Sequence, residues 1–118
     1  MTTKEIITSW AELFNMQDIE GLTNLYNEHS VSHQTPNIQI EGKENIKKMF
    51  EEEFSQFEIT CYVENIFENG DWGMLEWKGD EDGILRGYSI FQVIDSKINL
   101  QIGYWDNMSF LNQIEKII

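Results

Sequence analysis

Residues 57–106 decide the fold, and they read FEITCYVENIFENGDWGMLEWKGDEDGILRGYSIFQVIDSKINLQIGYWD. β-Branched and aromatic residues dominate this stretch, which is the composition typical of strands. Turn residues interrupt it at Asn69-Gly70, at Asp80-Glu81-Asp82-Gly83 and at Asp95-Ser96-Lys97. Short apolar runs separated by such turns predict hairpins. The sequence therefore predicts four antiparallel strands, near 57–68, 71–79, 84–94 and 97–106.

The first half of the chain is mostly helical by pattern. Thr2 and Glu5 have the spacing of a capping box, and a first helix continues to about Asn15. Asp18 is the predicted N-cap of a short second helix, and a third helix follows Gly42. Apolar residues recur at helical spacing in all three: Ile6, Ile7, Trp10, Leu13 and Phe14; Ile19, Leu22, Leu25 and Tyr26; and Ile46, Met49, Phe50 and Phe54.

One strand-like segment interrupts the helices. Residues 29–36 lose the helical period and end at Pro36, which cannot donate to a sheet ladder. We therefore expect an edge strand there, carrying His33. The run Glu51-Glu52-Glu53 on the third helix is interpreted as an ordinary solvated face.

This order of elements predicts one compact α+β unit in which three N-terminal helices pack in a curved, mostly antiparallel sheet. A long twisted sheet that carries its helices on one side curls around them. The curl leaves a cavity at the wide end, where a small apolar or aromatic molecule could bind. At 118 residues, the chain is expected to form a single domain over residues 1–118.

Composition disfavours several classes of partner. The net charge is −13, from 21 acidic and 8 basic side chains, which repels nucleic acid and anionic membrane surfaces. No apolar run approaches the roughly 20 residues that span a bilayer, and the N-terminus lacks a signal-peptide pattern. We expect a cytoplasmic protein with no nucleic-acid or membrane partner. The single cysteine, Cys61, is expected to be a buried structural thiol.

Arg86 is the only arginine, and its strand-like setting requires a partner. With a three-residue loop at Asp95-Ser96-Lys97, Tyr88 pairs with Tyr104 and Arg86 stands opposite Asp106. With a two-residue loop, Arg86 and Asp106 lie on opposite faces. The sequence leaves both registers open. An Arg86–Asp106 pair could serve catalysis or be an ordinary cross-strand salt bridge.

Three further groups could carry protons. His33 could be an acid or base if it points into the cavity, or a strand-end histidine bonded to a loop. Asp106 could be a proton carrier at the mouth or the cap of a short terminal helix. Glu76 is the third group of interest, because the Asn69-Gly70 turn would place its carboxylate opposite Val63 on the apolar face. His29 and His33 lie too far apart on a strand to share a metal ion, so no metal site is expected.

The chain resembles the SnoaL-like polyketide cyclases and ketosteroid isomerases of the nuclear transport factor 2-like superfamily. The resemblance covers essentially the whole chain, in the order and at the spacing of that family. It rests on Trp10-Ala11-Glu12-Leu13, Gln17-Asp18-Ile19-Glu20-Gly21-Leu22, Leu25-Tyr26, Val31-Ser32-His33, Gly42-Lys43-Glu44-Asn45-Ile46, Phe91, Asp95-Ser96-Lys97-Ile98, Tyr104-Trp105-Asp106 and Gln113. It implies a cone-shaped barrel that binds a small, mostly apolar molecule, works without cofactors and often dimerises through the outer sheet face.

Two activities of the superfamily are disfavoured. At the isomerase positions the chain has Trp10 for the helix-one tyrosine, Gln34 or Thr35 for the base, and Arg86 near the oxyanion aspartate. Trp10 cannot donate as a phenol does, and neither Gln34 nor Thr35 can abstract a carbon-bound proton near neutral pH. Where limonene epoxide hydrolases carry a water-activating aspartate, this chain has Gly103. SnoaL-like members often carry a histidine at the position of His33.

The sequence thus predicts a pocket protein, with His33, Arg86 and Asp106 as catalytic groups of a cofactor-free isomerase-like or cyclase-like reaction. The predicted pocket residues are Trp10, Phe14, Tyr26, Tyr88 and Tyr104. A homodimer and no cofactor are expected. The alternative is a ligand-binding or dimerising accessory module without turnover.

Overall fold

The computed structural model describes residues 1–35, 37–79 and 85–105. Within these ranges lie three helices and six strands: α1 (Thr3–Asn15), α2 (Ile19–Thr23), β1 (Tyr26–Gln34), β2 (Ile40–Glu41), α3 (Lys43–Gln56), β3 (Tyr62–Asn69), β4 (Trp72–Lys78), β5 (Arg86–Ile94) and β6 (Lys97–Trp105). The strands form one curved, unclosed sheet in the order β2-β1-β6-β5-β4-β3. Only β1 and β6 pair in parallel. The predicted fold class is confirmed.

Helix α1 begins at the predicted capping box. The Thr2 hydroxyl accepts a hydrogen bond from the Glu5 amide, and the Glu5 carboxylate accepts one from the Thr2 amide, both at 3.1 Å. These bonds satisfy two of the amides that a helix leaves free at its first turn. The apolar stripe of the helix is buried against the sheet, with Ile7 fully enclosed. Periodicity and capping alone therefore predicted this element well.

The second helix is shorter than its apolar pattern suggests. Asp18 caps it as predicted, accepting from the Gly21 amide at 2.9 Å, but the helix ends at Thr23. Tyr26 is the first residue of β1, so the strand begins three residues earlier than expected. Nor is β1 a plain edge strand, because β2 pairs with it at Val31 and Ser32 and β6 pairs along its other side. Tertiary pairing with β6 overrode the local helical pattern.

The β3–β4 hairpin is displaced from its predicted position. Strand β3 begins at Tyr62 rather than near residue 57, and Asn69 pairs with Trp72, which leaves Gly70 and Asp71 as the turn. Because of this displaced turn, Glu76 pairs with Asn65 instead of Val63, and a bulge at Glu64 then pairs Val63 with Trp77. The predicted turn at residues 80–83 lies outside the described residues.

The β5–β6 hairpin combines the two registers that the sequence left open. Asp95 and Ser96 form a two-residue turn with φ of 52° and 60°, and Ile94 pairs with Lys97. A bulge at Asn99 then shifts the pairing so that Tyr88 lies opposite Tyr104, as in the three-residue alternative. Asp106 lies outside the described residues, so its pairing with Arg86 stays a prediction.

The core lies between α1, α3 and the inner face of the sheet. Its largest enclosed side chains include Tyr26, Phe50 and Phe91. Cys61 is buried there, as predicted, and burial raises the pKa of its thiol to about 12. No helix in the described ranges is long and apolar enough to cross a membrane. The cytoplasmic location stays a prediction.

Candidate functional site

A cavity of about 370 Å³ opens between α1, α3 and the inner face of the sheet. Helix α1 provides one wall, helix α3 the facing wall, and the sheet the floor. Most of the lining is apolar or aromatic, with a few polar groups, which is the usual make-up of a small-molecule site. The described lining residues are Trp10 and Phe14 from α1; Met49, Phe50, Glu52, Glu53 and Gln56 from α3; Gln34, Ile40, Trp77, Ser89 and Trp105 from the sheet; and Asn37, Ile38, Phe57, Ile59, Cys61 and Leu85 from the connecting segments.

Aromatic contacts fix the α1 wall. The Trp10 and Phe14 rings stack with centroids 5.1 Å apart, and Phe14 meets Phe54 edge-on at 5.3 Å. Trp10 also meets Phe91 of the sheet edge-on at 5.7 Å. Such pairs add to the free energy of burial and hold the ring planes in place. The wall therefore has a shape that is set before any ligand binds.

Tyr26 lies behind this wall and holds Trp10 in position. The Trp10 indole Nε1 donates to the Tyr26 hydroxyl at 2.9 Å, and that hydroxyl donates to the side-chain oxygen of Gln101. Tyr26 has no exposed surface, and its burial raises the pKa of the phenol. A neutral Tyr26 is thus maintained as both donor and acceptor, although its ring does not line the cavity.

Glu53 is the titratable group that sequence analysis missed. It lines the cavity from α3 and is partly buried, and its carboxylate makes no hydrogen bond or ion pair within the described residues. Desolvation raises the pKa of its carboxyl to about 7. The group therefore exchanges a proton near neutral pH inside a largely apolar cavity, which is the property required of a general acid or base.

The helical period contained the signal for Glu53. Position 53 is seven residues after Ile46, four after Met49 and three after Phe50, so it shares the inward face of α3 with these apolar residues. Interpreting Glu51-Glu52-Glu53 as one solvated run ignored that spacing. Glu51 and Glu52 are exposed, whereas Glu53 is not.

Two predicted pocket residues, Trp10 and Phe14, line the cavity, and three do not. Tyr26 lies behind Trp10. Tyr88 and Tyr104 lie on the opposite, outer face of the sheet, where they are 44% and 38% exposed and their rings stack at 5.2 Å. Strand parity is the reason, because Ser89 of β5 and Trp105 of β6 have the inward positions.

Two of the predicted catalytic residues, His33 and Arg86, do not line this cavity. His33 pairs with Ile102 on the outer side of β1, while its neighbour Gln34 lines the cavity. Arg86 is exposed and forms an ion pair with Glu64 of the neighbouring hairpin. Asp106 lies outside the described residues. The catalytic roles of these three residues stay untested predictions.

Glu76 and Gly103 are the other two positions that bear on acid–base chemistry. Glu76 lies on the outer face, where its carboxylate accepts a hydrogen bond from the Asn65 amide at 2.8 Å. At Gly103, a Cβ would come within 2.0 Å of the Gln34 side-chain oxygen. Gln34 thus takes the space that a side chain at position 103 would need. No group of three metal-ligating side chains occurs in the part of the chain that the structure describes.

Comparisons with known proteins agree on one fold family. The family model of SnoaL-like polyketide cyclases matches residues 4–114. A search of curated proteins found no match. Among solved structures, an NTF2-like protein of unknown function from Cytophaga hutchinsonii has a TM-score of 0.79 at 17% identity, covering 94% of this chain and 96% of that one.

Two further relatives extend the range of functions found on this fold. A protein from Catenulispora acidiphila with a ketosteroid isomerase-like fold, solved in complex with trimethylamine, has a TM-score of 0.82 at 18% identity, with coverage of 95% and 93%. The epoxide hydrolase/cyclase-like enzyme SalBIII, which acts in pyran ring formation in salinomycin, has a TM-score of 0.78 at 14% identity, with coverage of 91% and 92%. At these identities the likeness establishes the fold alone.

Proposed function

Because the chain belongs to the SnoaL-like polyketide cyclase family, we propose that it binds a small, largely apolar molecule in the cavity between α1, α3 and the sheet. One observation carries the proposal: about 370 Å³ of space whose walls are mainly aromatic and aliphatic. The solved relatives support it in general terms, since one is a complex with a small amine and another is an enzyme.

Binding is tested by titrating phenylbutanol, a neutral probe with an apolar body, into the protein by isothermal calorimetry. Ser89 lines the cavity from β5, so Ser89→Leu fills part of the space and should weaken binding at least about ten-fold. Ser55→Leu makes the same chemical change on the exposed side of α3 and should leave the affinity unaltered. Equal affinities of the two variants would place the probe elsewhere.

A second candidate function is cofactor-free proton transfer, and the Glu53 carboxyl favours it. With a pKa near 7, this group can accept a carbon-bound proton as the carboxylate and return it as the acid. The test is deuterium incorporation next to the carbonyl of phenylbutanone in D₂O, followed by NMR. Glu53→Gln should abolish the protein-dependent exchange, whereas Glu51→Gln, an exposed neighbour outside the cavity, should retain it. Exchange that persists in Glu53→Gln would rule out this role for Glu53.

We also propose that two copies associate through the outer face of the sheet. This outer face is defined by Phe67, Trp72, Met74, Tyr88, Ile90, Ile102 and Tyr104. Four of these large side chains are more than a third exposed. A contiguous apolar face of this kind is unusual on a monomer and typical of an interface. A second copy is the partner that resemblance to the family implies.

A further inference from the structure

The charged groups of the cavity are all of one sign within the described lining. Among the described residues that line the cavity, Glu52 and Glu53 are the only carboxylates, and none is a lysine, arginine or histidine. The net charge of the whole chain, −13, has the same sign. The cavity therefore attracts cations and repels anions.

The aromatic walls favour a cation as well. Trp10, Phe14, Phe50, Trp77 and Trp105 all line the cavity. Ring faces attract ammonium groups through their quadrupoles, and tryptophan does so most strongly. Because these walls partly shield Glu53 from solvent, an ion pair with it is less screened than one at the surface. An ammonium group on an apolar body would satisfy both the rings and the charge.

The Glu53 carboxylate has no cationic partner among the described residues. It has no hydrogen-bond or ion-pair partner there, whereas Lys47 of the same helix pairs at the surface with Glu20 of α2 at 2.9 Å. An unpaired carboxylate in an apolar cavity is unfavourable, and burial raises its pKa to about 7 in consequence. A bound ammonium group would supply the missing partner and favour the ionised form.

We infer that the cavity selects ligands with a protonated amine on a compact apolar body, and that the Glu53 carboxylate is the counter-ion that recognises the amine. This inference rests on the proposed binding function and names its ligand class. A neutral ligand of the same shape gains the apolar contacts but not the ion pair. A carboxylate ligand meets two like charges.

Three probes of one shape test the inference: phenylbutylamine, phenylbutanol and phenylbutyrate, titrated by isothermal calorimetry at pH 8, where Glu53 is mostly ionised. We expect the amine to bind about ten-fold or more tightly than the alcohol, and the carboxylate to bind most weakly. In Glu53→Gln the ratio of amine to alcohol affinity should fall several-fold, to the residual preference that the rings and Glu52 supply. In Glu51→Gln, which removes one acidic charge outside the cavity, the ratio should stay at its wild-type value.

The possible outcomes separate the two proposals. Equal affinities for amine and alcohol would overturn the amine selectivity and leave cavity binding in place. An amine preference that is undiminished in Glu53→Gln would overturn the role of Glu53. Failure of all three probes to bind would overturn both the selectivity and the binding function. Circular dichroism of each variant checks that the fold is retained, so that a lower ratio of amine to alcohol affinity can be assigned to the change at the site.

Discussion

At the scale of single residues, the site depends on two groups with opposite roles. Tyr26 is enclosed and has its hydroxyl fully engaged with Trp10 and Gln101, so it fixes the wall. Glu53 faces the cavity with no partner in the described residues, so it is available to a ligand. Burial raises the pKa of both groups, but only the pKa of Glu53 comes close to neutral pH.

Glu53 should make stability depend on pH in a specific direction. Its pKa in the folded protein, about 7, lies above its ordinary value of 4.5. The contribution of Glu53 to stability is therefore fully present below pH 4.5 and is lost as pH rises through 7. The resulting loss in the free energy of unfolding is at most roughly 3 kcal/mol. Glu53→Gln should consequently be more stable than wild type at pH 8 and equal to it at pH 4.5.

Urea unfolding at the two pH values, followed by circular dichroism, measures this difference. Glu51→Gln is the matched control, since it removes the same charge from an exposed position of α3. A stability gain that is the same at pH 4.5 and pH 8 would show that ionisation of Glu53 is not its cause.

Tyr26→Phe should destabilise the protein by about 1–3 kcal/mol. The change leaves the Trp10 indole N–H and the Gln101 side-chain oxygen buried without their partner. Thermal unfolding measures the loss. Tyr88→Phe removes the same hydroxyl from an exposed ring and should alter stability by less than about 0.5 kcal/mol. Equal effects would mean that the Trp10–Tyr26–Gln101 chain contributes nothing.

At the scale of elements, short turns and bulges decide which side chains face the cavity. The β5–β6 turn has two residues, and the bulge at Asn99 then shifts the register so that Tyr88 pairs with Tyr104 on the outer face. At the other hairpin, the turn at Gly70 and Asp71 brings Glu76 opposite Asn65, and the bulge at Glu64 brings Trp77 opposite Val63. A shift of one residue in either strand would move every later side chain to the other face of the sheet.

The β3–β4 turn offers a test at this scale. Gly70 has a φ of +61°, and a Cβ there would meet no atom within 4 Å, so any cost of substitution comes from the backbone. Gly70→Ala should therefore destabilise the protein by about 1 kcal/mol. Gly70→Asn should cost less, because asparagine tolerates left-handed geometry. Chemical denaturation of both variants measures the order, and an alanine variant as stable as the asparagine variant would contradict it.

At the scale of the whole molecule, the sheet separates two apolar regions. The inner face forms the cavity with α1 and α3, and the outer face carries the exposed aromatic and aliphatic side chains. The acidic surface opposes association through charge repulsion, and salt screens that repulsion. Association through the outer face should therefore strengthen as ionic strength rises.

Sedimentation equilibrium should give a mass of about twice 13.9 kDa for the wild-type protein. Ile90→Lys places a charge at the centre of the outer face and should yield monomers. Ile38→Lys makes the same change at a position that is 87% exposed and not on the outer face, and it should remain dimeric. A wild-type mass of 13.9 kDa at all salt concentrations would refute the dimer.

The sequence by itself determined the helices, the number of long strands, the fold class and the Trp10–Phe14 wall, because capping, periodicity and turn residues act locally. Tertiary structure alone decided the parallel pairing of β1 with β6, the two bulges and hence the faces taken by His33, Tyr88 and Tyr104. Strand register depends on partners distant in sequence, and one inserted residue reverses a face. The raised pKa of Glu53 also depends on tertiary structure, because the walls that desolvate its carboxyl come from other segments of the chain.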